Sequence, residues 1–171
     1  GAMQKNVDIS LAKKALIIMC ADNGIVAEGV TQTGQKVTVD VAKLMGERKS
    51  SVGIMTKDYP LEIVVYDVGI NADTPEHVID RKIRRGTADF LIEPAMSRQE
   101  CLDAIAVGIH AAEALKDQHT DIIATGEMGI GNTTTATAVL CALTGQDVQS
   151  CTGRGAGLTD AGLQRKIRVI R

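Results

Sequence analysis

Apolar and polar residues alternate along this chain in blocks. Residues 15–19 (ALIIM), 63–66 (IVVY) and 121–124 (DIIA) are short, almost continuous apolar runs. Runs of this length, bounded by turn residues, predict strands buried on both faces. Between them the apolar positions fall at helical spacing. Val37, Val41, Leu44 and Met45 share one face of a helix predicted from about Gln35. Leu102, Ile105, Ala106 and Ile109 follow a capping box at Ser97 to Glu100 (SRQE), in a helix expected to run to about Lys116. Ala136, Val139, Leu140 and Leu143 make a third stripe, with Gly145 as its stop. A last helix is expected from near Thr159, where Leu158 and Leu163 are placed for a hydrophobic staple. Residues 71–96 read as polar and irregular, broken by Pro75 and Pro94. Buried strands alternating with amphipathic helices predict an α/β domain built on a parallel sheet.

Composition narrows the function classes. The 171 residues suit one domain with a full core. The net charge of −2, with dispersed lysine and arginine, argues against a nucleic-acid surface. So do one Phe, two Tyr and no Trp, which leave little to stack bases on. Cys20, Cys101, Cys141 and Cys151 form no C-x-x-C pair, so a reduced, cytoplasmic protein is expected, without a disulfide framework or zinc site. No apolar run reaches membrane-spanning length and no signal peptide is visible. Residues 1–3 (GAM) read as a tag scar, leaving 4–171 as the domain. Leu163, Ile167 and Ile170 still hold an apolar face where the sequence stops at Arg171, which reads as a cut inside a helix of a longer protein.

Candidate chemistry centres on residues 126–133, GEMGIGNT. The spacing is that of a phosphate-binding G-x-x-x-x-G-K-[ST] loop, but Asn132 stands where the lysine belongs. A strand, a glycine loop and a helix N-terminus bind anions without that lysine, through unpaired N–H groups and the helix dipole. The candidate phosphate-binding residues are therefore Met128, Gly129, Ile130, Gly131, Asn132, Thr133 and Thr134. Gly129 and Gly131 let the backbone approach a ligand, while Asn132, Thr133 and Thr134 can cap the helix and donate hydrogen bonds. Without a lysine and a magnesium-holding partner a triphosphatase is disfavoured; a single phosphate fits better, with no metal. The dinucleotide fingerprint fails, because Thr134 occupies the place of its third glycine. A plain tight turn with capping threonines is the bland alternative.

Asp22, Asp67 and Glu127 each lie just past a predicted strand. In an open α/β sheet those strand ends line the ligand crevice, so carboxylates there suit ribose hydroxyls or a cationic ring. Arg154, inside a second glycine-rich loop at 151–157 (CTGRGAG), is a candidate anion contact. His77, His110 and His119 do not cluster, and RKIRR at 81–85 reads as a solvated edge.

Four segments together, ADNGIVAEGVTQTGQKVT at 21–38, YDVGI at 66–70, GEMGIGNTT at 126–134 and TGRGAGL at 152–158, resemble the nicotinate-nucleotide:dimethylbenzimidazole phosphoribosyltransferases. The resemblance follows the family's order over nearly the whole chain. It implies a doubly wound, Rossmann-like α/β core, incomplete here relative to the family, and a homodimer. It implies transfer of the 5-phosphoribosyl group from nicotinate mononucleotide to 5,6-dimethylbenzimidazole, or a related aromatic base, without cofactor or metal, in cobalamin lower-ligand synthesis. Glu127 matches a supporting active-site glutamate of the family, and Thr31 falls in the segment lining its aromatic-base pocket. Asp22, Thr31, Asp67 and Arg154 are then the expected substrate pocket. The family's general base is a glutamate far toward its C-terminus, expected beyond Arg171, so this chain alone is expected to be essentially inactive. Two other readings stay open: a non-catalytic mononucleotide-binding module, and a P-loop-like nucleotide hydrolase.

Overall fold

The computed structural model describes residues 2, 3 and 5–171. Four parallel strands form one sheet in the order β3-β2-β1-β4: β1 is Lys14–Ala21, β2 Leu61–Gly69, β3 Ile79–Asp80 and β4 Ile122–Met128. The helices are α1 Lys36–Gly46, α2 Ser51–Met55, α3 Arg98–Asp117, α4 Asn132–Thr144, α5 Val148–Cys151 and α6 Asp160–Ile170. A short 3-10 turn, Gly24–Glu28, follows β1. Among the described residues, no helix is long and apolar enough to cross a membrane.

Alternate residues of β1 and β2 feed two cores. Ile18, Cys20, Val65 and Ile70 meet Ala42 of α1 on one face. Ala15, Ile17 and Tyr66 meet Ala111 and Leu115 of α3 on the other. With both faces covered, β1 and β2 need no polar alternation, which is why they read as continuous apolar runs. The sheet is doubly wound, with helices on both faces, as an α/β domain requires.

The helical stripes turn out differently from their sequence reading. On α1 the buried positions are Thr38 and Ala42, with Val39 and Met45 at the core margin, while Leu44 is exposed. Small residues sit where the helix comes closest to the sheet. On α3 the expected face points outward: Leu102, Ile105 and Ile109 are about half exposed, and Ala111 and Leu115 are buried instead. On α4 likewise Val139, Leu140 and Leu143 are exposed, and Thr134 and Thr137 are buried. Periodicity locates a stripe but carries no information on which neighbour covers it.

The chain ends of the elements hold up better. Ser97 and Glu100 form a reciprocal capping box on α3, and Gly145, at φ +68°, closes α4 in the left-handed conformation. The segment 71–96 contains one element that composition does not betray, the two-residue β3, paired at Tyr66↔Ile79 and Asp67↔Asp80.

Candidate functional site

After β1 the chain winds to β2 and β3 on one side, then returns to β4 on the other. The carboxyl ends of β1 and β4 are thus the switch point of the sheet, where α/β proteins open a crevice. Two loops meet there, one following Ala21 and one following Met128.

They fit too closely for any side chain. A Cβ on Gly129 would fall 2.2 Å from the Ala21 carbonyl oxygen and 3.0 Å from Asn23 Nδ2. Gly131 stands at φ +89° as the N-cap of α4. Asn23 braces the assembly: its Nδ2 donates to the Ile130 carbonyl (3.0 Å) and its Oδ1 accepts from Thr135 Oγ1 (2.9 Å). The Ile130 N–H donates to Thr38 Oγ1 at 3.1 Å, which explains a buried threonine on α1.

The loop is shorter than its sequence suggests. Parallel pairing with β1 holds Gly126 opposite Ile18, Glu127 opposite Met19 and Met128 opposite Cys20, so β4 takes in the first three residues of the glycine motif. Glu127 therefore sits on the end of a strand and not inside the loop. Met128 packs against the core on the α1 face. The Ile130 amide is already committed to Thr38, and Thr134 is fully buried with no partner for its Oγ1 among the described residues. Asn132 and Thr133 do not cap the helix; Gly131 does. Instead Asn132 Nδ2 donates to Glu127, and Asn132 Oδ1 accepts the Thr133 N–H at 2.7 Å.

Two hollows flank this turn. An open cleft of about 440 Å³ is lined by Met19, Asn23, Val68, Glu127, Asn132 and Thr135. On the other side a niche of about 80 Å³ brings together Thr31, Gly131, Asn132, Thr133, Arg154 and Gly155. Asn132 and Thr133 face both. Thr31 donates to the Thr33 carbonyl at 2.7 Å, and Arg154 reaches the Leu158 carbonyl (2.9 Å) and Asp160.

The decisive group is one that residue-by-residue reading passed over. Lys166 of α6 is 1% exposed, and its Nζ donates to Thr133 Oγ1 at 2.7 Å. Burial holds its pKa below the usual lysine value. The cation missing from the loop's own sequence is thus delivered through space. The signal was a lysine among Leu163, Ile167 and Ile170 on an otherwise apolar face.

The two remaining acids stand apart from the cleft. Asp67 is fully buried and accepts from the N–H groups of Gly69 (3.0 Å) and Ile70 (2.8 Å), from Thr74 Oγ1 (2.7 Å) and from Lys82 Nζ. It lines neither hollow; it ties the turn after β2. Asp22 accepts the Asn71 N–H at 2.8 Å and faces a separate cavity. Cys20, between these charges, is a closed thiol: burial first, then Asp67 and Glu127, push it up to about 12.

A family model described as "Phosphoribosyltransferase" matches residues 1–171. The chain belongs to that phosphoribosyltransferase family. It is 41% identical over 172 residues to the nicotinate-nucleotide–dimethylbenzimidazole phosphoribosyltransferase of Clostridium acetobutylicum, covering 100% of this chain and 49% of that protein. With the enzyme of the same name from Roseiflexus sp. strain RS-1 it shares 43% over 162 residues, 94% of this chain and 46% of that one. The crystal structure of CobT from Thermus thermophilus superposes with a TM-score of 0.93 at 33% identity, over 99% of this chain and 51% of that chain. The chain spans about half the length of the curated relatives it matches.

Proposed function

We propose that this chain is the nucleotide-holding half of an enzyme that moves a 5-phosphoribosyl group from nicotinate mononucleotide to 5,6-dimethylbenzimidazole or a related aromatic base. The products are α-ribazole 5′-phosphate and nicotinate. The observation that carries the reading is the buried Lys166 ammonium on Thr133, beside the glycine turn. A single desolvated cation there matches one phosphate, and the names of the relatives supply the substrates.

In this reading the donor phosphate lies in the niche against Gly131, Thr133 and Gly155, with the Lys166 ammonium behind Thr133, Arg154 at the rim and Thr31 opposite. The ribose then extends past Asn132 into the larger cleft, where Glu127 faces it. As the glycosidic bond breaks, the ribose gains oxocarbenium character, and a carboxylate nearby stabilises that charge. Nicotinate leaves with the bond pair. The incoming ring nitrogen must shed its proton, which needs a general base. Glu127 is held by Asn132, so it supports the charge, and the base is supplied by the half of the relatives' length that this chain does not span. The enzyme works in the cytoplasm, as a homodimer.

Turnover tests the proposal. A chain of the relatives' full length, given nicotinate mononucleotide and dimethylbenzimidazole, should release α-ribazole 5′-phosphate. The 171-residue chain should run at least about 10²-fold slower, the usual cost of losing a general base. No product from the longer chain with any aromatic base would remove the proposal.

A further inference from the structure

A hollow of about 270 Å³ lies on the α3 face of the sheet, at its β2–β3 edge, and shares no residue with the cleft or the niche. Val107, Ala111 and Ala114 of α3 form its apolar floor. Its polar lining is Tyr66 of β2, Arg81 just past β3 and His110 of α3. Strand alternation brings the first two together. Tyr66 pairs with Ile79, and the Arg81 N–H continues the ladder to the Asp67 carbonyl at 2.9 Å, so Ile79 and Arg81 point to the same face as Tyr66. Tyr66 packs there against Ala111 and Leu115.

Each of the three polar groups has donors to spare. Tyr66 is 9% exposed, yet among the described residues its hydroxyl is neither hydrogen-bonded nor sealed from solvent; the hollow is where it opens. His110 has no hydrogen bond or ion pair among the described residues. Arg81 Nη1 donates to the Asp80 carbonyl at 2.7 Å, which uses one of five guanidinium donors. No carboxylate among the described residues is ion-paired with Arg81, whereas Arg84, Arg85 and Arg154 each hold one. The acid nearest in sequence, Asp80, pairs with Asp67 on the opposite face and accepts the Lys82 N–H at 3.0 Å. The hollow thus presents a phenol, a guanidinium and an imidazole, with no acid in its lining.

Donors without an acid select an anion, and a guanidinium fork matches the paired oxygens of a carboxylate or phosphate. The hollow is larger than such a head group, and its small α3 side chains leave an apolar floor for a compact body attached to it. We propose that this hollow binds a small organic anion, its carboxylate or phosphate head on Arg81, Tyr66 and His110 and its apolar body on Val107, Ala111 and Ala114. The site lies on different residues from the glycine turn and does not depend on the mononucleotide reading.

Benzoate and phenyl phosphate test it, with phenol as the uncharged ring. Followed by amide chemical shifts, at least one of the two anions should move Arg81, His110 and Ala111, and phenol should not. Arg81→Met, at an exposed side chain, should weaken that anion by at least about tenfold, the worth of one charge-assisted hydrogen bond. Tyr66→Phe removes only an unpartnered hydroxyl and should weaken it about fivefold while the thermal melt stays unchanged. Unchanged affinity in Tyr66→Phe would remove Tyr66 from the site. Shifts confined to Gly131, Thr133 and Gly155 would leave the niche as the anion site and overturn the proposal. So would silence of Arg81, His110 and Ala111 up to the solubility limit, phenol binding as tightly as the anions, or affinity indifferent to Arg81→Met.

Discussion

The ammonium of Lys166 donates to the hydroxyl of Thr133 across 2.7 Å, tying the last helix to the first turn of α4. A lysine this deeply buried costs stability unless a charge partner arrives. Among the described residues no carboxylate pairs with it, and burial lowers its pKa. Function and stability therefore oppose each other at this position. Replacing Lys166 by Met removes the desolvation penalty and should raise apo stability by about 1 kcal/mol, or roughly 2–4 °C in Tm. The sign of the pH dependence follows. The folded protein releases the Lys166 proton before the unfolded chain does, whose value is near 10.5. The penalty is full below the folded pKa and vanishes as pH rises toward 10.5, so the gap between variant and parent should narrow in alkali. Thermal melts of both proteins from neutral to alkaline pH check this.

Gly129 has no room for a methyl group, because the Ala21 carbonyl stands 2.2 Å from where it would lie. Gly129→Ala should cost about 2–3 kcal/mol, since backbone and not a flexible side chain must yield. Gly34 has nothing within 4 Å and no positive φ, so Gly34→Ala should stay within about 0.5 kcal/mol of the parent. Urea unfolding of the two variants separates close approach from mere glycine loss.

Asp67 looked like a substrate carboxylate in sequence, yet every oxygen it has is used by Gly69, Ile70, Thr74 and Lys82. Asp67→Asn leaves Lys82, with a side chain 15% exposed, without its ion partner. Breaking a buried pair in this way costs about 3–5 kcal/mol. The expected outcome is a large stability loss in the apo protein, measured by denaturant melts. A variant as stable as the parent would instead free Asp67 for ligand binding.

Thiol chemistry reports on the crevice floor. Cys20 is fully buried with its pKa at about 12, while Cys101 is exposed on α3. At pH 8 a maleimide should label Cys101 and leave Cys20 unmodified in the folded state, as peptide mass mapping would record. Labelling of Cys20 at the Cys101 rate would mean that the β1–β4 end opens.

What sequence conveyed here was local physics. Continuous apolar runs marked β1 and β2, Ser97 with Glu100 marked the start of α3, and Gly145 marked the end of α4. What it hid was anything decided between distant residues. The reach of β4 through Glu127 depends on pairing with β1. Asn23 braces a loop more than a hundred positions away, and Lys166 meets Thr133 from 33 positions away. The outward faces of α3 and α4 had the right period but no visible partner to assign them.

If Lys166 behind Thr133 charges the niche for a single phosphate, binding of a mononucleotide must depend on it. Calorimetric titration of this chain with nicotinate mononucleotide, beside ATP with magnesium, tests it most directly. The mononucleotide should bind without metal, and Lys166→Met should weaken it by at least about tenfold, the worth of one charge-assisted hydrogen bond. Tight magnesium-dependent ATP binding, or mononucleotide binding indifferent to Lys166→Met, would contradict it.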